Sequence, residues 1–213
     1  VEHQRAVLKV GRRGGVGRVT GRRDDSRDDT DGWYESINGD LSGLNICIDC
    51  ANGASAAAAR QLFPRLGAKC TFIGVEPDGK NINAGVGSTH LENLEKAVVE
   101  GGFDCGIAFD GDADRCLACD EKGQEIDGDK IIALLAMNMK EKGCLDGNTA
   151  VVTVMSTLGF IKFMGSQGIR TEQTAVGVRY VLETTRENGH DIGGEQSGHV
   201  ILLHYAPTGD GHL

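Results

Sequence analysis

The chain has 213 residues, 39% hydrophobic and 25% charged, the composition of globular material long enough for one large or two small domains. No apolar run approaches the roughly 20 residues of a membrane-spanning helix, and the N-terminal stretch lacks the apolar core of a secretory signal, so the cytoplasm is the expected location. The net charge of −9 is uneven: the first 23 residues hold seven basic groups against one acidic, leaving −15 on the other 190, a body that repels nucleic acid and anionic membrane.

Residues 1–40 are rich in Gly, Arg and Asp, show no sustained hydrophobic period, and are expected to be poorly ordered. Within them GRRGGVG, Gly11 to Gly17, lacks the closing Gly-Lys-Ser/Thr of a phosphate loop and reads as a flexible basic segment. From Leu44 the pattern alternates. LNICIDC predicts a strand, SAAAARQLFPRLG a helix ended by Gly67, and KCTFIG a second strand. GSTHLENLEKAVVEGG predicts a helix with Leu91, Leu94 and Val98 on one face and a capping box of Thr89 and Glu92. DCGIAF then predicts a buried parallel strand, CLACDEKGQEI a hairpin turning at Lys122 and Gly123, and DGDKIIALLAMNMKEKG a helix capped by Asp127.

After Asn148 the alternation resumes with TAVVTVM as strand, a helix around Gly159 to Met164, IRTEQT as strand and RYVLETTRENG as helix. GHDIGGEQSG reads as a Gly-rich loop ahead of a last strand, HVILLHY. The expected fold is therefore two consecutive α/β domains, 41–146 and 147–213, with mixed, mostly parallel sheets carrying helices on both faces, after the segment 1–40. Seven cysteines, mostly within apolar runs, suit reduced thiols. Cys47/Cys50 and Cys116/Cys119 have the spacing of zinc sites, but on a strand positions three apart face opposite ways.

The chemistry concentrates in FDGDADRC, Phe109 to Cys116. Functional loops gather beyond the carboxyl ends of parallel strands, and Asp110 follows directly on such a strand. In an extended loop, Asp110, Asp112 and Asp114 point the same way and can converge on one hard cation, magnesium or calcium rather than zinc. A solvated acidic turn is the bland alternative. The calcium loop of an EF-hand is a sharper one, matched at Asp110, Asp112, Asp114 and Glu121, but Arg115 stands where that loop needs glycine and the flanks read as strands. Arg115 either holds a phosphate oxygen beside the metal or merely neutralises its neighbours. In GGEQSGH, Gly193 to His199, glycines let the backbone approach a ligand while Glu195, Gln196 and Ser197 offer donors and acceptors suited to a polyol; a polar turn into the last strand is the alternative, and His199 alone reads equally as a strand-end histidine.

CANGAS, GVEPDGKNIN with GSTHLE, AFDGDADR, IDGD and GGEQSGH together resemble the α-D-phosphohexomutase superfamily, and within it the phosphoglucosamine mutase family, from about Leu44 to Gly211. The resemblance implies Mg2+ on Asp110, Asp112 and Asp114, with Arg115 contacting the active-site phosphate. It implies a hexosamine phosphate substrate (glucosamine 6-phosphate or 1-phosphate) whose hydroxyls Glu195 and Ser197 hold, with Gln196 and His199 of the same loop as further substrate-binding candidates, glutamine standing where glucose and mannose mutases commonly carry methionine. In TAVGVRYV the family's usual lysine and aspartate are replaced by Ala175 and Val178, while Arg179 persists as a candidate substrate contact. The implied reaction passes phosphate from a phosphoserine to glucosamine 6-phosphate and back through a 1,6-bisphosphate. The family's Thr-Ala-Ser-His-Asn-Pro serine loop and Arg-x-Ser-Gly-Thr phosphate clamp occur nowhere in these residues, so the chain is expected to carry the second and most of the third domain and not to turn over alone. A phosphomannomutase or phosphoglucomutase, or a non-catalytic calcium module, is the alternative.

Overall fold

The computed structural model describes residues 40–213, and the readings made above for residues 1–39 lie outside them. Two α/β sheets follow one another. The first has the strand order β2-β1-β3-β4-β5, built from β1 (Asn45–Asp49), β2 (Lys69–Ile73), β3 (Cys105–Phe109), β4 (Cys116–Asp120) and β5 (Glu125–Ile126). β1 pairs in parallel with both β2 and β3, and β4 and β5 then run antiparallel. Helix α1 (Ser55–Arg65) buries Ala59, Leu62 and Phe63 against Ile46, Ile48 and Phe109 on one face. Helix α2 (Glu92–Gly101) buries Leu94 and Val98 against Cys47, Ala108 and Cys119 on the other. Cys47 and Cys50 thus enter cores on opposite faces, as do Cys116 and Cys119, which removes the zinc reading of both pairs.

The second sheet, β7-β6-β8-β9, joins β6 (Thr149–Thr153), β7 (Arg170–Thr174), β8 (Ile192–Gly194) and β9 (Val200–Leu202). Here β6 is parallel to β7 and β8, and β9 is antiparallel to β8. Helices α3 (Gly128–Glu141) and α4 (Leu158–Ser166) cover one face, α3 through Ile132, Ala133 and Ala136 and α4 through Phe160 and Met164. Helix α5 (Val178–Glu187) covers the other face through Val181. The apolar side of α3, a helix that sequence spacing attaches to the first unit, lies in the core of the second sheet.

Two local expectations are corrected. The Thr89/Glu92 capping box does not form, because α2 begins at Glu92 itself, with Leu91 as N-cap and no side-chain cap bond. Gly193 and Gly194, read as loop, belong to the buried strand β8. A Cβ on Gly193 would come within 2.6 Å of Val181 Cγ1, so the strand admits α5 only because that position is glycine.

Candidate functional site

The acidic loop joins β3 to β4 as a tight turn, not as the extended segment expected from spacing. Ala113 adopts a left-handed φ of 64° and its N–H donates to the Asp110 carbonyl at 3.2 Å. The turn brings one oxygen each of Asp110, Asp112 and Asp114 within 4.8 Å of one another. Asp110 is fully buried, and Arg115 grips it twice: Nε donates to Oδ2 at 2.6 Å and the backbone N–H to Oδ1 at 3.1 Å. Burial pushes the Asp110 carboxyl up, but the hydrogen bonds and charge of Arg115 outweigh it and hold the group below its ordinary value. Repulsion from Asp110 and then Asp114 pushes Asp112 up. Three hard oxygen donors, each with a lone pair to spare beside the arginine, could hold a small divalent cation. The EF-hand alternative falls, since β3 and β4 flank the loop where helices are required and Glu121 sits exposed in the β4–β5 turn.

Segments that the sequence leaves without a role brace this turn. The Gly111 carbonyl accepts Ala54 N–H at 2.9 Å, and the Phe109 carbonyl accepts Ser88 N–H at 2.9 Å. Asp49, fully buried, ties the two bracing loops together by accepting from Ala51 N at 2.9 Å and Gly87 N at 2.8 Å, and burial pushes its carboxyl up. From the C-terminal side, Gly211 N–H donates to the Ala113 carbonyl at 3.0 Å, and His212 stacks on Phe109 with centroids 4.5 Å apart. Ala54, Ser88 and Gly211 brace the turn through main-chain atoms, which leave no signal of that role in the sequence, whereas Asp49 and His212 use side chains.

GGEQSGH forms the β8–β9 turn and meets the acidic loop directly. Arg115 and His199 form an antiparallel bridge, and Cys116 N–H donates to the Gly198 carbonyl at 3.1 Å. A Cβ on Gly198, at φ +100°, would lie 2.6 Å from the Cys116 carbonyl, so this approach requires glycine. His199 stands between the loops, with Nε2 3.0 Å from Asp114 Oδ2 and Nδ1 3.0 Å from Glu195 Oε2. Glu195 is buried and its other oxygen accepts Gly177 N–H at 3.0 Å. Gln196 anchors the turn to α3: its carbonyl accepts Gly128 N–H at 2.9 Å and its Nε2 donates to Asp127 Oδ2 at 3.3 Å.

The structure therefore brings together Asp110, Asp112, Asp114, Arg115, Glu195 and His199, with Gln196 at the edge. Ser197 is exposed, its Oγ 3.4 Å from His199 Nδ1. Arg179 stands apart: its side chain is 82% exposed and pairs with Glu183 on the same helix at 2.8 Å, so only Gly177, two residues earlier, links it to Glu195.

Two layered α/β sheets meeting at an acidic turn and a Gly-rich turn define a class, and comparison with known proteins agrees. Residues 33–123 match the family model for phosphoglucomutase/phosphomannomutase, alpha/beta/alpha domain II, and residues 127–213 match that for domain III. The chain belongs to the phosphoglucomutase/phosphomannomutase family. A phosphoglucosamine mutase from an Arthrobacter species is 57% identical over 173 residues, 81% of this chain and 38% of that protein. A phosphoglucomutase/phosphomannomutase family protein from Burkholderia thailandensis is 26% identical, with a TM-score of 0.75 over 86% of this chain and 40% of its own. The N-acetylphosphoglucosamine mutase of Aspergillus fumigatus, solved with GlcNAc-6P and magnesium, is 19% identical with a TM-score of 0.61 over 80% of this chain and 38% of its own, and shares the fold. The chain spans 38% to 44% of the length of the curated relatives it matches.

Proposed function

We propose that this chain supplies the metal loop and the sugar loop of a mutase that interconverts glucosamine 6-phosphate and glucosamine 1-phosphate through a 1,6-bisphosphate. The observation that carries the reading is the contact of Asp114 with His199 and of His199 with Glu195, which sets three carboxylates beside a polyol-suited turn. Asp110, Asp112 and Asp114 would hold Mg2+, whose charge beside a phosphate favours its transfer. Arg115 would place a donor beside that phosphate while it holds Asp110 ionised. Glu195 and Ser197 would take the sugar hydroxyls, Gln196 would favour the amino sugar, and Arg179 would reach the substrate only by leaving Glu183. His199, in the same turn, would join them in binding the substrate.

We divide the chain between the hairpin ending at Ile126 and the cap residue Asp127, since α3 packs in the second core. Reduced thiols at all seven cysteines suit a cytoplasmic location. Among the described residues no helix is long and apolar enough to cross a membrane.

Amide chemical shifts test the function. Adding Mg2+ to the chain is expected to move the amides of residues 110–115 at weak affinity. With Mg2+ present, glucosamine 6-phosphate is expected to move those of 193–199 more than glucose 6-phosphate or mannose 6-phosphate does. Loops that stay still at millimolar ligand would overturn the proposal, and a larger response to either other sugar would overturn the amino-sugar assignment. No turnover is expected from these residues alone; a coupled assay showing glucosamine 1-phosphate formed, and lost in Asp112→Ala, would refute that.

A further inference from the structure

We infer that Asp49 is a positioning residue for the cation: through the two loops that cradle the acidic turn, it sets the main-chain position of that turn and hence the spacing of its three aspartates. The inference rests on the metal role proposed above and adds to it the device that shapes the site from outside. Asp49 ends β1, is fully buried, and pairs across the sheet with Ala108, two residues before Asp110. Its oxygens hold one loop each, Oδ1 accepting from Ala51 N at 2.9 Å and Oδ2 from Gly87 N at 2.8 Å. Each loop then reaches the acidic turn with one N–H. Ala54 donates to the Gly111 carbonyl and Ser88 to the Phe109 carbonyl, both at 2.9 Å, so the two neighbours of Asp110 are held from opposite sides. Asn83 N–H closes the cradle by donating to the Ala51 carbonyl at 2.9 Å.

These segments meet main chain to main chain. A Cβ on Gly87 would lie 2.7 Å from the Phe109 carbonyl oxygen, one on Gly111 would lie 2.7 Å from Ile82 Cδ1 and 2.8 Å from Asn83 Nδ2, and one on Gly53 would run into the Gly111 carbonyl. Gly74, at φ +60°, leaves the space that Asp49 Oδ1 fills. With no flexible side chain between them, a displacement of either loop passes directly to the acidic turn. Arg115 fixes the Asp110 side chain, so the displacement falls on Asp112, which is exposed, and on Asp114, which is half-buried. Groups that orient metal ligands typically cost about 10- to 100-fold in metal affinity when lost, and Asp49 acts one step further out, at the lower end of that range, about 10-fold.

The test uses the full chain and Mn2+ alone, followed by the electron paramagnetic resonance of the free ion, with the Ala54 and Ser88 amide shifts recorded without metal. Asp49→Ala releases both loops and is expected to weaken Mn2+ binding about 10-fold and to move both amides. Asp49→Asn keeps the shape but can accept only one of the two N–H groups, and is expected to lose about threefold. Leu62→Ala, two turns along α1 in the same core, is the control: it should destabilise the fold and leave Mn2+ affinity at the parental value. Circular dichroism identifies any variant that fails to fold, and Asp49→Asn carries the test if Asp49→Ala does. Parental Mn2+ affinity in the folded Asp49 variants would overturn the inference, and so would an equal loss in Leu62→Ala, which would make general loosening the cause. Ala54 and Ser88 amides that stay at their parental positions would overturn the relay through the two loops. Failure of the metal reading itself looks different: the parent and Asp112→Ala would then give the same Mn2+ titration, and the two amide shifts would still decide whether Asp49 sets the turn.

Discussion

Asp110 is fully buried at the end of β3 and keeps its charge because Arg115, five residues on, wraps back over it. Truncating the arginine strands a carboxylate in the core, so Arg115→Ala is expected to lower unfolding stability by about 3 kcal/mol. The double variant with Asp110→Asn should recover part of that loss, because no unpaired charge remains buried. Urea unfolding midpoints measure both, and a single-variant loss under about 1 kcal/mol would show that Asp110 is compensated elsewhere. The three aspartates and the arginine are legible in the sequence. That Arg115 grips Asp110, and that the oxygens converge through a turn, goes with the left-handed φ of Ala113, which alanine, a residue that disfavours that conformation, does not announce.

Helix α3 shows how one element serves both core and site. Asp127 caps it, Oδ1 accepting from Lys130 N at 3.0 Å, while Oδ2 takes the Gln196 amide. Asp127→Ala should therefore cost about 1 kcal/mol of stability and release the Gln196 side chain. Thermal melting gives the first and the Gln196 side-chain amide resonances the second; unchanged amide resonances would show that the cap does not hold the turn. The cap was legible because Asp-Gly-Asp ahead of an apolar period is a local signal. Thr89 and Glu92 carried a local signal too, yet α2 starts later than their spacing asks, and tertiary packing of Leu91 took precedence. β8 was illegible for the opposite reason: three residues, two of them glycine, have little strand propensity, and their conformation comes from β6 and β9 on either side.

At the scale of the molecule the two sheets repeat one plan, a central strand parallel to both neighbours and then an antiparallel fourth: β2-β1-β3-β4 and β7-β6-β8-β9. The acidic turn joins β3 to β4 and the Gly-rich turn joins β8 to β9, so the two loops occupy the same place in successive domains and meet there. The cores that hold this arrangement bury Cys47, Cys50 and Cys119 completely, and burial pushes these thiols up, to about 11, 11 and 12. A raised folded-state value favours the neutral thiol, so the folded chain keeps its full stability below the ordinary thiol value of 9.0 and loses it as pH rises towards 11. Melting temperature is expected to fall across that window. At pH 8 these three thiols should resist a disulfide exchange reagent until denaturant is added; rapid reaction of all seven in the folded chain would contradict the packing.

Periodicity, caps and turn residues were enough to specify alternating strands and helices, because each depends on neighbours a few residues away. Motif strings were enough to mark the acidic loop and the Gly-rich loop, because their chemistry lies in adjacent side chains. Three features were settled only by the folded chain: the core that α3 joins, the strand made of glycines, and the meeting of Asp114 with Glu195 across His199. The reason is common to them. Each depends on contacts between segments tens of residues apart, and such contacts leave no pattern along the sequence.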